Sequence, residues 1–218
     1  MPEPLTLVAV GTGVFALSAQ LARRYFEMAK EVVDVILGFI ALVLTLPVWL
    51  ACAIIIRLSS PGSVFLVQKR VGKDGKVFGM FKFRTMYVHA EAAGRAVWAS
   101  KDDPRVVATC RWMRRSHVDE LPQLLNVIKG EMSLVGPRPE RPEILAELEK
   151  SYPNVHKRLA VRPGITGLAQ VRNGYDTSVD EFRRKLQADL EYIERRKWSM
   201  ELAILARTLG KLNDRGSH

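Results

Sequence analysis

Residues 32 to 56, VVDVILGFIALVLTLPVWLACAIII, form an apolar run that contains a single charged residue, Asp34. As a helix this run would be about 37 Å long, which is enough to cross a bilayer. Pro47 lies inside the run, where it removes one helix hydrogen bond and clashes with the preceding turn, and the Thr45 hydroxyl can bind the loosened backbone. The run therefore predicts a membrane helix with a break near Pro47.

Basic residues flank this run on both sides. Arg24 and Lys30 precede it, and Arg57, Lys69 and Arg70 follow it. A crossing helix would carry one basic flank to the far side of the membrane, against the bias that keeps Lys and Arg in the cytoplasm. A helix that enters, bends at the proline and returns would satisfy both observations. Proline-kinked spanning helices also occur, so both paths stay open at this point.

A second apolar segment, LTLVAVGTGVFALSAQLA at residues 5 to 22, carries no charge and approaches the length needed to cross a bilayer. It lacks the basic flank that precedes a signal-peptide core, so cleavage is not expected. Arg23 and Arg24 follow it, and the positive-inside rule places this end in the cytoplasm. We interpret residues 1–22 as an N-terminal membrane segment, with a hydrophobic core helix as the alternative.

Composition bounds the rest of the chain. A length of 218 residues accommodates one compact core and a membrane element, and no second full domain is expected. The chain has 33 Lys and Arg against 23 Asp and Glu, and the net charge of +10 suits anionic partners such as lipid headgroups, nucleotides or nucleic acid. Cys52 and Cys110 have no second pair to suggest a metal site or a disulfide framework, so both are interpreted as free thiols in a reducing compartment.

The residues after the apolar run predict one compact cytoplasmic domain from 59 to 218. Ser60-Pro61-Gly62 ends the preceding helix, and the stretches VFLVQKRV and KVFGMFKF flank a turn at Lys73-Asp74-Gly75, which is a β-hairpin signal. Residues 179–196 and 199–212 have the apolar spacing of amphipathic helices, and the second of these fits the membrane interface or the core. The predicted class is therefore α/β, with a hairpin and amphipathic interfacial helices beside the membrane helix.

The second strand of the predicted hairpin runs into KFRTM, residues 82–86. Lys82 and Arg84 alternate there with Phe81 and Phe83, so a strand would place both cations on one face. Without other evidence, a solvated strand face explains this pattern.

Residues 114–139, RRSHVDELPQLLNVIKGEMSLVGPRP, place the adjacent carboxylates Asp119 and Glu120 between Arg114 and Arg138. Guanidinium forks match phosphate oxygens and stay charged at any working pH. A carboxylate beside bound phosphate is repelled unless a cation such as Mg²⁺ intervenes, and it can also attack phosphorus itself. Neighbouring helix residues point about 100° apart, so the two carboxylates are expected to have separate roles.

A structural interpretation competes with this chemistry. Ser116 precedes Asp119 by three residues, which is the spacing of a capping box before the amphipathic stretch LPQLLNVIKG. Spacing alone favours this capping role. Pro137 and Pro139, however, fix the backbone on both sides of Arg138 and so orient its side chain, which favours phosphate binding.

Taken together, these motifs resemble the bacterial sugar transferases, also called monotopic phosphoglycosyl transferases. The matching features run in the family's order from about residue 24 to about residue 212. They are an apolar helix before Ser-Pro-Gly, Gln68 and Arg70 before Gly72, Lys-Phe-Arg-Thr-Met, Asp-Glu-Leu-Pro-Gln-Leu, Gly-Pro-Arg-Pro and Arg-Pro-Gly-Ile-Thr-Gly. The set is highly specific, unlike any one of its members. Residues 1–22 lie outside the family's minimal form, and His117 replaces a commoner serine.

The resemblance implies a reaction. Asp119 would be the nucleophile that attacks the β-phosphate of a UDP-sugar, releases UMP and carries the phosphosugar until polyprenyl (undecaprenyl) phosphate accepts it. Glu120 would assist as a base or metal partner, with Mg²⁺ at Asp119. Four basic residues would hold the substrate phosphates: Arg138, Arg114, Lys82 and Arg84.

The same resemblance implies a location. Residues 23–58 would form a re-entrant helix that bends at Pro47 and never crosses the bilayer, with the catalytic domain on the cytoplasmic face of the bacterial inner membrane. The expected partners are the UDP-sugar, polyprenyl phosphate and the lipid bilayer, with downstream glycosyltransferases as further candidates and no nucleic acid. The reaction would open the membrane stage of glycoconjugate or exopolysaccharide assembly.

Two functions from other classes compete with this one. A membrane-tethered nucleic-acid-binding protein would use the basic surplus together with Trp98, Trp112 and Trp198, but an adjacent pair of carboxylates does not suit a nucleic-acid groove. A non-enzymatic membrane scaffold has no need for Arg138 framed by prolines. The sequence does not name the sugar.

Overall fold

The computed structural model describes residues 4–88, 103–173 and 179–213. The helices are α1 (Pro4–Ser59), α2 (Arg111–Arg115), α3 (Gln123–Ile128), α4 (Pro142–Ser151), α5 (Leu168–Asn173), α6 (Val179–Arg195) and α7 (Trp198–Asn213). The strands are β1 (Phe65–Val71), β2 (Val77–Phe83), β3 (Ser133–Val135) and β4 (Gly164–Thr166). This mixture of helices and small sheets is compatible with the predicted α/β class.

One helix, α1, covers both apolar segments of the sequence, and its helical backbone continues through Pro47. The Thr45 hydroxyl binds the backbone as expected, but it donates to the carbonyls of Ala41 (2.7 Å) and Leu42 (3.2 Å). The carbonyl that the proline leaves without its helix donor is that of Val43. From residue 20 to residue 59 the helix is long and apolar enough to cross a membrane. Its re-entrant path stays a prediction.

The domain packs against one face of α1 at several points along the helix. A Cβ added to Gly38 would lie 3.1 Å from Val127 Cγ1, so this part of α1 approaches α3 closely. Further along, Cys52 and Ile56 are buried with Phe83 of β2 in one apolar cluster. Cys110 belongs to the same cluster, and both cysteines are free and buried, which confirms the prediction of free thiols.

The one acid of the apolar run, Asp34, is buried against the domain. It forms an ion pair with Lys30 (3.1 Å) and accepts a hydrogen bond from Ser133 Oγ of β3 (2.6 Å). Lys30 also pairs with Glu201 of α7 (2.8 Å), which accepts a hydrogen bond from the Tyr192 hydroxyl (2.6 Å). This network, here called the anchor network, joins α1 to β3, α6 and α7 through buried charges.

Strands β1 and β2 form the predicted antiparallel hairpin, in a register that pairs Phe65 with Phe83 and Val71 with Val77. The Lys73–Gly75 turn contains Asp74 at φ 56° and Gly75 at φ 76°, the left-handed conformation that these residues tolerate best. The two faces of β2 have different neighbours. Phe83 faces α1, whereas Met80 packs with Val127 and Met132 on the opposite side.

Strands β3 and β4 form a separate parallel pair, with Ser133 beside Gly164 and Val135 beside Thr166. Their ends come unusually close. A Cβ on Gly164 would lie 2.1 Å from the backbone nitrogen of Gly136, so no larger residue fits there. The Gly136 N–H donates to the Thr166 carbonyl (2.8 Å). The Gly-Pro-Arg-Pro turn, residues 136–139, is therefore held directly against the Arg-Pro-Gly-Ile-Thr-Gly segment.

We expect the Lys30→Met change to destabilise the fold strongly, because it leaves Asp34 and Glu201 buried without their cation. Breaking a buried ion pair costs about 3–5 kcal/mol, which in a chain of this size lowers Tm by roughly 10 °C. Lys150→Met, at an exposed lysine of α4, is the matched control. Thermal unfolding in neutral detergent measures both, and equal Tm values for the two variants would contradict a stabilising role of the anchor network.

Candidate active site

The segment between α2 and α3 carries the two adjacent carboxylates in a short 3₁₀ turn, Val118–Glu120. The predicted capping box is wrong. Ser116 closes α2 by donating to the Trp112 carbonyl (2.8 Å), and no side chain caps the 3₁₀ turn. The spacing from Ser116 to Asp119 therefore has no capping function, because the two residues belong to different elements.

His117 has a left-handed backbone conformation, with φ 56° and ψ 15°. This conformation is uncommon for a residue with a Cβ, and such residues concentrate at functional sites. It reverses the chain between α2 and the 3₁₀ turn. Asp119 and Glu120 are both buried in that turn, so the backbone of His117 determines how they are presented.

Glu120 is held by two cations. Arg138 binds it through the two terminal nitrogens of its guanidinium group, with Nη1 3.0 Å from Oε2 and Nη2 2.5 Å from Oε1, and Lys82 Nζ lies 3.0 Å from Oε1. Burial acts to raise the pKa of Glu120, but the charges and hydrogen bonds of Arg138 and Lys82 hold it well below its usual value. Glu120 is therefore an ionised carboxylate whose charge is balanced by Arg138 and Lys82.

Asp119 has the opposite environment. Only 8% of the residue is exposed, and within the described residues no hydrogen bond reaches its carboxylate. Burial, followed by the charge of Glu120, raises the pKa of Asp119 to about 6, while Lys82, Arg114 and Arg138 act in the other direction. Two neighbouring carboxylates whose pKa values are pushed apart are typical of sites in which each has its own role.

Buried ion pairs support the turn that carries Arg138. Arg158 donates to the Arg138 carbonyl (2.8 Å) and pairs with Asp189 of α6 (2.7 Å). Arg70 of β1 donates to the Pro139 carbonyl (2.9 Å). The next residue, Glu140, pairs with Lys185 (2.8 Å) and Arg158 (3.5 Å), and these cations outweigh its burial and lower its pKa to about 2.

Sequence reasoning missed these supporting residues for different reasons. Arg70 is part of a motif that the sequence displays, but nothing there indicated that it binds the turn. Arg158 and Asp189 come together from segments 31 residues apart, and neither lies in a motif. Their only sequence signal was the position of Asp189 within an amphipathic helix.

The remaining predicted phosphate ligands have different positions. Arg114 is half-buried, and its charge helps to lower the pKa of Asp119. Arg84 is buried and donates to the carbonyls of Ser60 (2.8 Å) and Pro61 (2.5 Å), where it secures the end of α1. Lys82 and Arg84 thus have different partners, and phosphate binding by Arg84 stays a prediction.

The side chains around Asp119 show what kind of Mg²⁺ site is possible there. Across the described ranges, no three His, Cys, Asp or Glu side chains cluster closely enough to form a metal site of their own. Glu120 is already neutralised, whereas the Asp119 carboxylate has oxygens available. Mg²⁺ usually takes one or two carboxylates and completes its coordination with water and substrate phosphates. Asp119 fits such a shared site and does not fit an all-protein cage.

The features raised for nucleic-acid binding are only partly described. Trp112 and Trp198 are 44% and 40% exposed, and Trp98 lies outside the described residues. Exposed tryptophans also occur at membrane interfaces. Nucleic-acid binding therefore gains no specific support from these side chains.

Comparison with known proteins gives consistent relatives. The model of the bacterial sugar transferase family matches residues 25–215. The UDP-glucose:undecaprenyl-phosphate glucose-1-phosphate transferase of Xanthomonas campestris pv. campestris is 44% identical over 184 residues, which cover 83% of this chain and 37% of that protein. The UDP-N-acetylgalactosamine-undecaprenyl-phosphate N-acetylgalactosaminephosphotransferase of Aeromonas hydrophila is 38% identical over 193 residues, covering 88% and 45%.

A further relative has a length closer to that of this chain. The UDP-glucose:undecaprenyl-phosphate glucose-1-phosphate transferase of Caulobacter vibrioides is 38% identical over 196 residues, which cover 88% of this chain and 72% of that protein. The chain therefore spans less than half of the Xanthomonas and Aeromonas proteins and most of the Caulobacter protein.

We expect removal of the negative charge to have opposite effects on thermal stability at Asp119 and at Glu120. The folded-state pKa of Asp119, about 6, lies above its ordinary value of 3.8, so ionisation of Asp119 destabilises the fold above pH 6. Asp119→Asn should therefore unfold at the same or a higher Tm than the wild type at about pH 7.5, and the gain should vanish at about pH 4.

Glu120→Gln is the matched comparison, because it makes the same chemical change one residue away. It should lower Tm at about pH 7.5, since Arg138 and Lys82 lose their buried counter-charge. Thermal unfolding in detergent without divalent cations measures both variants. Equal losses of stability would show that burial of Asp119 imposes no electrostatic cost.

Proposed function

Because the chain belongs to the bacterial sugar transferase family, we propose that it transfers a sugar 1-phosphate from a UDP-sugar to undecaprenyl phosphate, giving a polyprenyl-diphospho-sugar and UMP. The relatives described above have names that specify UDP-sugar donors or undecaprenyl-phosphate acceptors. The observation that carries the proposal is the Asp119 carboxylate, which is buried among cations and accepts no hydrogen bond from the described residues.

The proposed reaction has two displacements at phosphorus. In the first, an Asp119 carboxylate oxygen attacks the β-phosphorus of the UDP-sugar, and the bond from this phosphorus to the bridging oxygen breaks. UMP leaves with that oxygen, and the phosphosugar remains on Asp119 as an acyl phosphate. In the second, a phosphate oxygen of undecaprenyl phosphate attacks the same phosphorus, and the Asp119 carboxylate is released. Neither step consumes a proton, an oxidant or a reductant.

Asp119 is better suited than Glu120 to the role of nucleophile. Arg138 and Lys82 occupy the Glu120 oxygens with three hydrogen bonds, so attack by Glu120 would first require breaking them. With a pKa of about 6, Asp119 is ionised at neutral pH and remains more basic than an ordinary aspartate, which favours nucleophilic attack. Because Glu120 has a pKa well below its usual value, it is a weak base, and we assign it to holding Arg138 and Lys82 in place.

The positive charge of the site neutralises only part of the charge of a bound diphosphate. Arg138, Lys82 and Arg114 contribute three positive charges against the two carboxylates, which leaves one positive charge. A sugar diphosphate carries more negative charge than this. We therefore propose that Asp119 would hold a Mg²⁺ ion, which would supply charge neutralisation at the reacting phosphate. Arg138 would donate to phosphate oxygens through guanidinium N–H groups other than the two that bind Glu120.

The proposed location is the cytoplasmic face of the bacterial inner membrane, with α1 as a re-entrant helix. Residues near both ends of its apolar run contact the same domain: Asp34 binds Ser133, and Ile56 packs with Phe83. A helix that carried one end across the bilayer could not keep both contacts. The basic residues on either side of the run support the same arrangement.

The covalent intermediate can be tested directly. Enzyme quenched after incubation with a UDP-sugar alone, from a panel that includes UDP-glucose and UDP-N-acetylgalactosamine, should carry one phosphosugar on the peptide that contains Asp119. Asp119→Asn should form no adduct and release no UMP. The control is Asp74→Asn, at an exposed turn position whose left-handed backbone asparagine also accepts. UMP release by Asp119→Asn at a rate near that of the wild type would disprove the two-step reaction.

The re-entrant path predicts that both ends of the apolar run face the cytoplasm. Single cysteines would replace the exposed residues Met28 and Lys76 in a background without Cys52 and Cys110. Both should be protected from a membrane-impermeant thiol reagent in intact cells and labelled after lysis. Labelling of the residue 76 cysteine alone in intact cells would mean that α1 spans the membrane.

A further inference from the structure

An open groove of about 410 Å³ lies between α1 and the junction of α6 with α7. None of the residues proposed for the reaction lines it. Its aromatic wall is formed by Phe26 of α1 and Trp198 of α7, whose rings meet edge to face with 5.2 Å between their centroids. This contact fixes the first turn of α7 against α1, so the groove is a built feature of the helix packing.

The charge lining the groove is positive. Arg23, Arg196 and Lys197 line it, and no Asp or Glu is among the lining residues that the structure describes. Arg196 forms an ion pair with Glu27, which offsets its charge. Arg23 and Lys197 are exposed, and the hydrogen bond that Arg23 donates, to the Glu194 carbonyl, is long (3.4 Å). Two cations are therefore available to an anion from solvent.

The groove also adjoins an apolar stripe. Trp198, Leu202 and Leu209 are 40%, 65% and 68% exposed, and their spacing of four and seven residues places them on one face of α7. The opposite face of α7 buries Ile204 and Glu201 in the domain. A helix with tryptophan at one end of an exposed apolar face is typical of the membrane interface, where the indole lies at the level of the headgroups.

We propose that this groove binds the phosphate of an anionic glycerophospholipid. Arg23 and Lys197 bind the phosphate oxygens, Trp198 lies beside the glycerol region, and the acyl chains extend along Leu202 and Leu209. Only a ligand with an anionic head and an apolar tail uses both the cations and the stripe. Bound lipid would link α1 to α7 and set the orientation of the domain on the bilayer, independently of the reaction that the domain catalyses.

The test measures lipid-dependent stabilisation of the full chain in neutral detergent. Dioctanoyl phosphatidylglycerol should raise Tm in a saturable manner, because a ligand that binds only the folded state stabilises it, whereas dioctanoyl phosphatidylcholine should not. In the double variant Arg23→Gln, Lys197→Gln, the phosphatidylglycerol concentration needed for half of this effect should rise on the order of tenfold or more, since the variant lacks both cations that bind the phosphate.

The matched control is Lys150→Gln with Lys157→Gln, which removes the same charge from exposed sites outside the groove. This control should respond to phosphatidylglycerol as the wild type does, and native mass spectrometry should count one retained lipid in both and none in the groove variant. Equal effects of the two lipids, or an equal loss in the control, would overturn the proposal. Stabilisation by inorganic phosphate that needs the same two cations and matches that of the lipid would overturn the lipid as occupant.

Discussion

The fold depends on the burial of charge where an apolar helix meets a basic domain. Asp34 is the one acid in an otherwise apolar run, and in contact with lipid it would be costly. The anchor network resolves this by pairing it with Lys30 and Ser133, and Lys30 continues to Glu201. A buried ion pair adds little net stability compared with apolar residues, but an unpaired member is heavily penalised. Such a network therefore specifies one rotation and one depth of α1 against the domain.

The cost of burying a charge also distinguishes the two adjacent carboxylates, Asp119 and Glu120, because among the described residues only Glu120 is paired with cations. Glu120 is buried with its counter-charges, whereas Asp119 is buried among charges and accepts no hydrogen bond from the part of the chain that the structure describes. The turn that carries Arg138 is supported from beneath by Arg158 and Asp189. The position of Arg138 beside Glu120 and Asp119 thus depends on ion pairs that extend as far as α6, and we expect a substitution in α6 to change the reactivity that we propose for Asp119 without contacting it.

Local patterns in the sequence predicted the local structure well. The Asp74-Gly75 turn and alternating apolar residues gave the hairpin, and the motif around Asp119 led to the family. The capping box failed because the Ser116 spacing fits two structures, and only the left-handed backbone of His117 separates them. Arg158 could not be predicted, because its role comes from contacts between distant segments. The path of α1 in the membrane depends on lipid and electrostatics that residue spacing alone does not encode.

The close approach of Gly136 to Gly164 has an entropic consequence for the turn that carries Arg138. Backbone meets backbone there, with a hydrogen bond from Gly136 to the Thr166 carbonyl and no side chain between them that could adopt another rotamer. The freedom of this loop is lost when the chain folds, and binding an anion need not remove it a second time. The phosphate binding that we propose for Arg138 would therefore carry no such ordering cost, because the two glycines already fix the turn in the folded chain.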